Sequence, residues 1–103
     1  MTLVYSPRAR RDQSHIWAEG WQRFGEEMAD DYAERFDKTL RKMLGIFPGA
    51  GRQRPEFGPD IRSLPIVPYV VLYRVKNRRV VVLRIVHSHS DLSQSILSLL
   101  VAI

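Results

Sequence analysis

The sequence predicts a two-layer α+β domain, in which a helical hairpin packs on a mainly antiparallel sheet of three to four strands. Three observations predict it. Met28, Ala29, Tyr32, Ala33, Phe36, Leu40, Met43, Leu44 and Phe47 recur at i, i+3/i+4 spacing and trace one apolar stripe along a helix. Tyr69 to Lys76 and Arg79 to His87 are β-branched runs on either side of a short polar turn, the pattern of a strand pair. The order β-α-α-β-β-β-α then places a helical hairpin ahead of the strands, so the stripe must be buried on one sheet face.

Each element has its own signals. Thr2 to Tyr5 reads as a short first strand. Ser6 follows as an N-cap and Pro7 as the first helical residue, where its missing N–H costs nothing. Ala9, Ile16, Trp17, Trp21 and Phe24 continue that helix until Gly25 separates it from a second one starting at Glu26. In the second helix the acids Glu26, Glu27, Asp30 and Asp31 come first and the bases Arg41 and Lys42 last, as the helix dipole favours. Gly45 and the run Pro48-Gly49-Ala50-Gly51 end it. The aromatic and aliphatic face shared by the two helices reads as core.

Gly49 to Pro59 reads as a polar loop carrying Arg52 and Arg54. Ile61 to Ile66 is a strand, and Pro65 and Pro68 place an edge or bulge near its end. The last two strands turn at Asn77-Arg78. Ser90 or Asp91 can cap a short C-terminal helix with Leu92, Ile96, Leu99 and Leu100, docked on the sheet or on a second copy of the chain. The whole chain, 1–103, is one domain.

The net charge of +5 is carried by one half of the molecule. Up to Leu44 the basic and acidic side chains cancel. Beyond it, Arg52, Arg54, Arg62, Arg74, Lys76, Arg78, Arg79 and Arg84 face only Glu56, Asp60 and Asp91. Such a one-sided field suits a phosphate backbone or an acidic protein partner, as well as simple solubility. The absence of cysteine rules out disulfides and thiolate chemistry and fits a reducing, cytoplasmic setting. No run approaches the roughly 20 apolar residues of a membrane span, so a soluble protein is expected.

Strict alternation would put Tyr69, Val71, Tyr73 and Val75 on the same face as Val80, Val82, Arg84 and Val86, with Arg74 and His87 on the other. An arginine inside a strand needs a carboxylate, a carbonyl or an open groove; for Arg84 a helix carboxylate, Asp12 or Glu19, is one solution. His87, His89 and Asp91 alternate along one segment, but no second carboxylate supports them and cations surround them, so no metal or other cofactor is expected. No nucleophile elbow and no Gly-rich phosphate loop is present. Two possibilities remain: a general acid–base site for RNA cleavage, with Arg84, His87 and His89 as the catalytic candidates, or a binding surface.

The pattern resembles the RelE/ParE superfamily of bacterial type II toxins, and within it the ParE branch. The resemblance rests on Ser6-Pro7-x-Ala9, then Pro48-x-x-Gly51-Arg52, Arg62-Ser63-Leu64-Pro65, Tyr69-x-x-x-Tyr73-Arg74 and Arg84-x-x-His87-x-x-x-Asp91. It implies a compact toxin covered by a co-expressed antitoxin, ParD-like or of another family, with an acidic C-terminal segment that folds on binding. It further implies inhibition of DNA gyrase as the ParE-like activity. The RelE-like alternative is cleavage of mRNA on the ribosome, and the third is a non-toxic homologue that only binds its antitoxin. Against the ribonuclease branch stand Pro65 where an arginine is expected, the missing arginine in the His87–Ser90 corner, and the lack of any tyrosine after Tyr73. The surface expected to meet target or antitoxin is Arg52, Arg54, Arg62, Tyr73, Arg74, Arg84 and His87. The apolar C-terminal helix makes a toxin dimer or a heterotetramer with the antitoxin conceivable.

Overall fold

A computed structural model describes residues 1–89. Strand β1 (Thr2–Tyr5) leads into helices α1 (Pro7–Phe24) and α2 (Glu26–Ile46), followed by β2 (Arg52–Gln53), β3 (Ile61–Ile66), β4 (Tyr69–Lys76) and β5 (Arg79–His87). The strands form one sheet in the order β1-β5-β4-β3-β2. β1 runs parallel to β5, and the remaining neighbours are antiparallel. The α+β layering is as the sequence predicts. The sheet has five strands rather than three or four, because Arg52 and Gln53 leave the expected loop to pair with Ser63 and Arg62. The C-terminal helix expected beyond Ser90 lies outside the described residues.

Local chemistry explains the boundaries. The Ser6 side chain accepts from the Ala9 N–H and caps α1, with Pro7 next in line. Gly25, at φ 91°, takes a backbone conformation that a side chain resists, and it breaks the two helices apart. Near the crossing, a Cβ on Gly20 would lie 3.6 Å from the Ala29 Cβ, so small residues let the helices approach. At the other end of the chain's hairpin, Asn77 and Arg78 both adopt positive φ (52° and 60°), the geometry of a type I′ turn.

The main core joins the hairpin to the sheet through Leu3, Ala9, Leu40, Leu44, Leu64, Val71, Tyr73, Val80, Val82 and Ile85. Leu40 and Leu44 are fully buried, each contributing about 1.5–3 kcal/mol of apolar transfer. Ile61, Leu72 and Leu83 form a second cluster with Phe57, Val70 and Val81. The helical face is less buried than its spacing implies. Trp21 is 48 % exposed and Phe24 64 %, and Met28, Ile46 and Phe47 are also exposed, so only part of the aromatic stripe is core.

Alternation fails once, and the failure rearranges the candidate residues. Leu72 pairs with Arg84 but Tyr73 pairs with Val82, so β5 has one residue more than β4 at Leu83. Beyond this bulge the faces of β5 exchange. Ile85 joins the main core and His87 stands opposite Tyr69, on the helical side. The expected sharing of one face by Arg84 and the tyrosines, with His87 on the other, is therefore overturned. Pro65 sits where β3 has no outer neighbour, since β2 reaches only Arg62 and Ser63.

Candidate functional site

Arg84 is committed to the scaffold. β1 ends at Tyr5, leaving the edge of β5 without a strand partner from Leu83 onward. The Ser6 N–H donates to the Val82 carbonyl (2.9 Å), and the Ser6 hydroxyl donates to the Leu83 carbonyl (3.0 Å). Asp12, from α1, takes over the next position by accepting from the Ile85 N–H at 2.9 Å. The same carboxylate accepts from Arg84 Nε (2.8 Å) and Nη2 (3.2 Å), a bidentate pair. Arg8 Nη1 adds a third cationic contact at 3.4 Å. Asp12 is 5 % and Arg84 7 % exposed, so this is a buried ion pair that substitutes a side chain for a missing strand.

Arg62 and Tyr73 belong together at a second place, the loop after α2. The Tyr73 phenol donates to the Pro48 carbonyl (2.8 Å) and accepts from the Gly51 N–H (2.8 Å). Arg62 Nη1 donates to the carbonyls of Gly51 (2.8 Å) and Gly49 (3.3 Å). The loop passes so close that a Cβ on Gly51 would lie 2.6 Å from the Tyr73 oxygen. Burial pushes the Tyr73 phenol above its ordinary pKa. This side chain is fully buried and cannot meet a target in this arrangement.

Beside the loop, Arg54 Nε donates to Glu56, its Nη1 reaches Ser63 Oγ at 3.3 Å, and its guanidinium lies 4.8 Å from the Phe57 ring centroid. The hydrogen bond from Arg54 holds the Glu56 carboxyl below the usual range. Arg52 is exposed on the edge strand β2. Arg74 is half-buried, and its Nε has no hydrogen-bond partner among the described residues.

The histidine corner is a third, separate place. His87 is exposed, with its ring edge-on to Tyr69 (centroids 5.9 Å apart) and stacked on His89 (5.0 Å). The His89 N–H donates to His87 Nδ1 at 3.3 Å. His87 and Tyr69 also line an open groove of about 1040 Å³ between the hairpin and the sheet. Tyr32, Phe36 and Tyr69 form an aromatic group within it, with centroids 6.2–6.5 Å apart. Trp17, which also lines it, donates its indole N–H to Asp30 at 2.6 Å. Burial raises the pKa of both Tyr32 and Tyr69. The sequence reading missed this groove. Its signal was present in the spacing of Tyr32 and Phe36, but that spacing equally describes a closed core. Asp91, the third member of the corner, lies outside the described residues. Among those residues no group of three or more carboxylates and imidazoles is placed to hold a metal.

The seven side chains expected on one binding surface thus fall into different environments. Arg84 pairs with α1, Arg62 and Tyr73 clasp the loop, Arg54 is tied to Glu56, Arg74 is half-buried, and Arg52 and His87 are exposed. Together these features define a small two-layer α+β domain with a basic sheet end, an aromatic groove and a clasped glycine loop.

Residues 3–92 match the model of the family described as ParE toxin of type II toxin-antitoxin system, parDE. Toxin ParE1 of Caulobacter vibrioides is 35 % identical over 82 residues, covering 80 % of this chain and 83 % of that protein. Toxin ParE3 of the same organism is 28 % identical over 82 residues, covering 80 % and 81 %. A solved structure described as the chromosomal ParDE TA system from P. aeruginosa superposes with a TM-score of 0.68 at 26 % identity, over 84 % of this chain and 95 % of that one. The chain belongs to the ParE toxin family of type II toxin–antitoxin systems.

Proposed function

We propose that this toxin acts by binding, with DNA gyrase as its target, and that a cognate antitoxin with an acidic C-terminal segment neutralises it. The observation that carries this reading is the commitment of Arg84. An acid–base ribonuclease site needs a proton acceptor, a proton donor and a cation for the phosphorane, close together. The Arg84 guanidinium is instead bidentate on Asp12, and Arg62 and Tyr73 hold the 48–51 loop. His87 and His89 are the exposed remainder of the candidate set. The likeness to a ParDE system supports the antitoxin, and the basic strand half suits an acidic partner. The partners bind in the cytoplasm on this reading.

The test is a supercoiling assay with purified gyrase, expected to show inhibition at saturating toxin. Unaltered supercoiling would reject the gyrase target. New codon-specific mRNA ends on translating ribosomes would instead support cleavage by the histidine corner. Induced expression without growth arrest would support a homologue that only binds its antitoxin.

A further inference from the structure

The β4–β5 turn breaks two rules of hairpin construction at once. Its four residues are Lys76, Asn77, Arg78 and Arg79, all exposed. Type I′ turns place both central residues at positive φ, and glycine is the residue that does so without strain at the second position. Here Arg78 occupies that position at φ 60°. Lys76 and Arg79 form the cross-strand pair that closes the turn, and like charges directly opposite one another repel. No ion pair relieves any of the three cations among the described residues. Asp60, which precedes the Ile61 partner of Arg74, makes none with them either. Local rules broken without compensation mark a site kept for function.

From this we infer that the hairpin tip is a contact site for the phosphate backbone of a nucleic acid. Three cations within four residues, on an exposed turn, match a ligand each of whose strands carries one negative charge for about every 3.4 Å of helix axis. The turn carries no tryptophan or tyrosine, so of the side chains that anchor protein interfaces it offers arginine alone. Phosphate contacts need only cations and reachable donors, which Lys76, Arg78 and Arg79 supply. The tip lies at the opposite end of β5 from His87, so it is distinct from the histidine corner and its groove. It does not depend on gyrase being the target, because DNA alone serves as the probe.

The experiment is fluorescence anisotropy of a labelled DNA duplex of about 20 base pairs, titrated with the full chain across a salt series. One variant carries Lys76→Gln, Arg78→Gly and Arg79→Gln. A control removes equal charge from the helices, with Arg11→Gln, Lys38→Gln and Lys42→Gln. The tip variant is expected to lower the slope of log K against log salt by about 2.7, roughly 0.9 for each lost phosphate contact, and the control to leave it near that of the parent. Because the substitutions at the tip relieve strain and repulsion, the variant remains folded, as its circular dichroism and thermal midpoint will show. Equal slopes for parent and tip variant would overturn the inference. Tighter binding of a poly-glutamate peptide than of the duplex, lost in the same variant, would also overturn it and assign the tip to an acidic protein.

Discussion

Asp12 joins α1 to β5 by accepting from the Ile85 N–H and from Arg84. Removing either residue takes the bidentate contact from the other in a buried setting, at a cost of about 3–5 kcal/mol. Asp12→Ala and Arg84→Ala should therefore each lower the denaturant midpoint strongly. Arg84→Met combined with Asp12→Leu should recover the part of that loss due to unpaired charge, while the Ile85 N–H stays without its acceptor. A double variant as unstable as the sum of the single changes would contradict the pairing. Gly51 is the second residue whose identity is set by contact: alanine there would meet the Tyr73 oxygen at 2.6 Å and the Ser63 carbonyl at 2.9 Å. Gly51→Ala should cost about 1–3 kcal/mol by overpacking, read by urea unfolding. Asp12 was legible in the sequence as one of two carboxylates that could meet Arg84. The clasp of the loop by Arg62 and Tyr73 was not, because Tyr73 follows Gly51 by 22 residues and no local spacing links them.

Two elements carry the consequences of irregular backbone. The bulge at Leu83 moves His87 onto the helical side, and nothing in the run Val80-Val81-Val82-Leu83-Arg84-Ile85-Val86 marks it, since it holds neither glycine nor a change of pattern. The turn at Asn77-Arg78 was legible, because a short polar pair between two apolar runs is a hairpin signal. Its strain gives a prediction at the same scale. Arg78→Gly should stabilise the fold by roughly 1 kcal/mol, raising the thermal midpoint by about 4–8 °C. The same substitution should weaken duplex DNA binding if the tip contacts phosphate. A substitution that lowers the midpoint would show that the turn is not strained as its dihedrals indicate.

At the scale of the molecule, pH dependence follows from the buried phenols. Burial, followed by the hydrogen bond to Asp37 at 2.5 Å, raises the Tyr5 pKa well above its ordinary value of about 10. Tyr73, Tyr32 and Tyr69 shift in the same direction. Above pH of about 10 the unfolded chain releases these protons while the folded chain keeps them. Stability that is fully present below that pH is then lost as pH rises toward the folded values. Tyr5→Phe should flatten this alkaline loss, measured as urea midpoints between neutral and strongly alkaline pH. An unchanged alkaline slope in that variant would remove Tyr5 from the account.

By itself the sequence determined the two layers, the helix break at Gly25, the hairpin turn and the family. All of these are written in local periodicity and punctuation, which backbone geometry translates directly into elements. The tertiary structure alone decided which side chains are spent on the scaffold. Arg84, Arg62 and Tyr73 find their partners 72, 11 and 22 residues away in the chain. Those partners are set by how β1 leaves the sheet, where β5 bulges and how closely the glycine loop passes. Packing fixes each of these, because a buried polar group must be satisfied by whatever donor or acceptor the fold brings within reach.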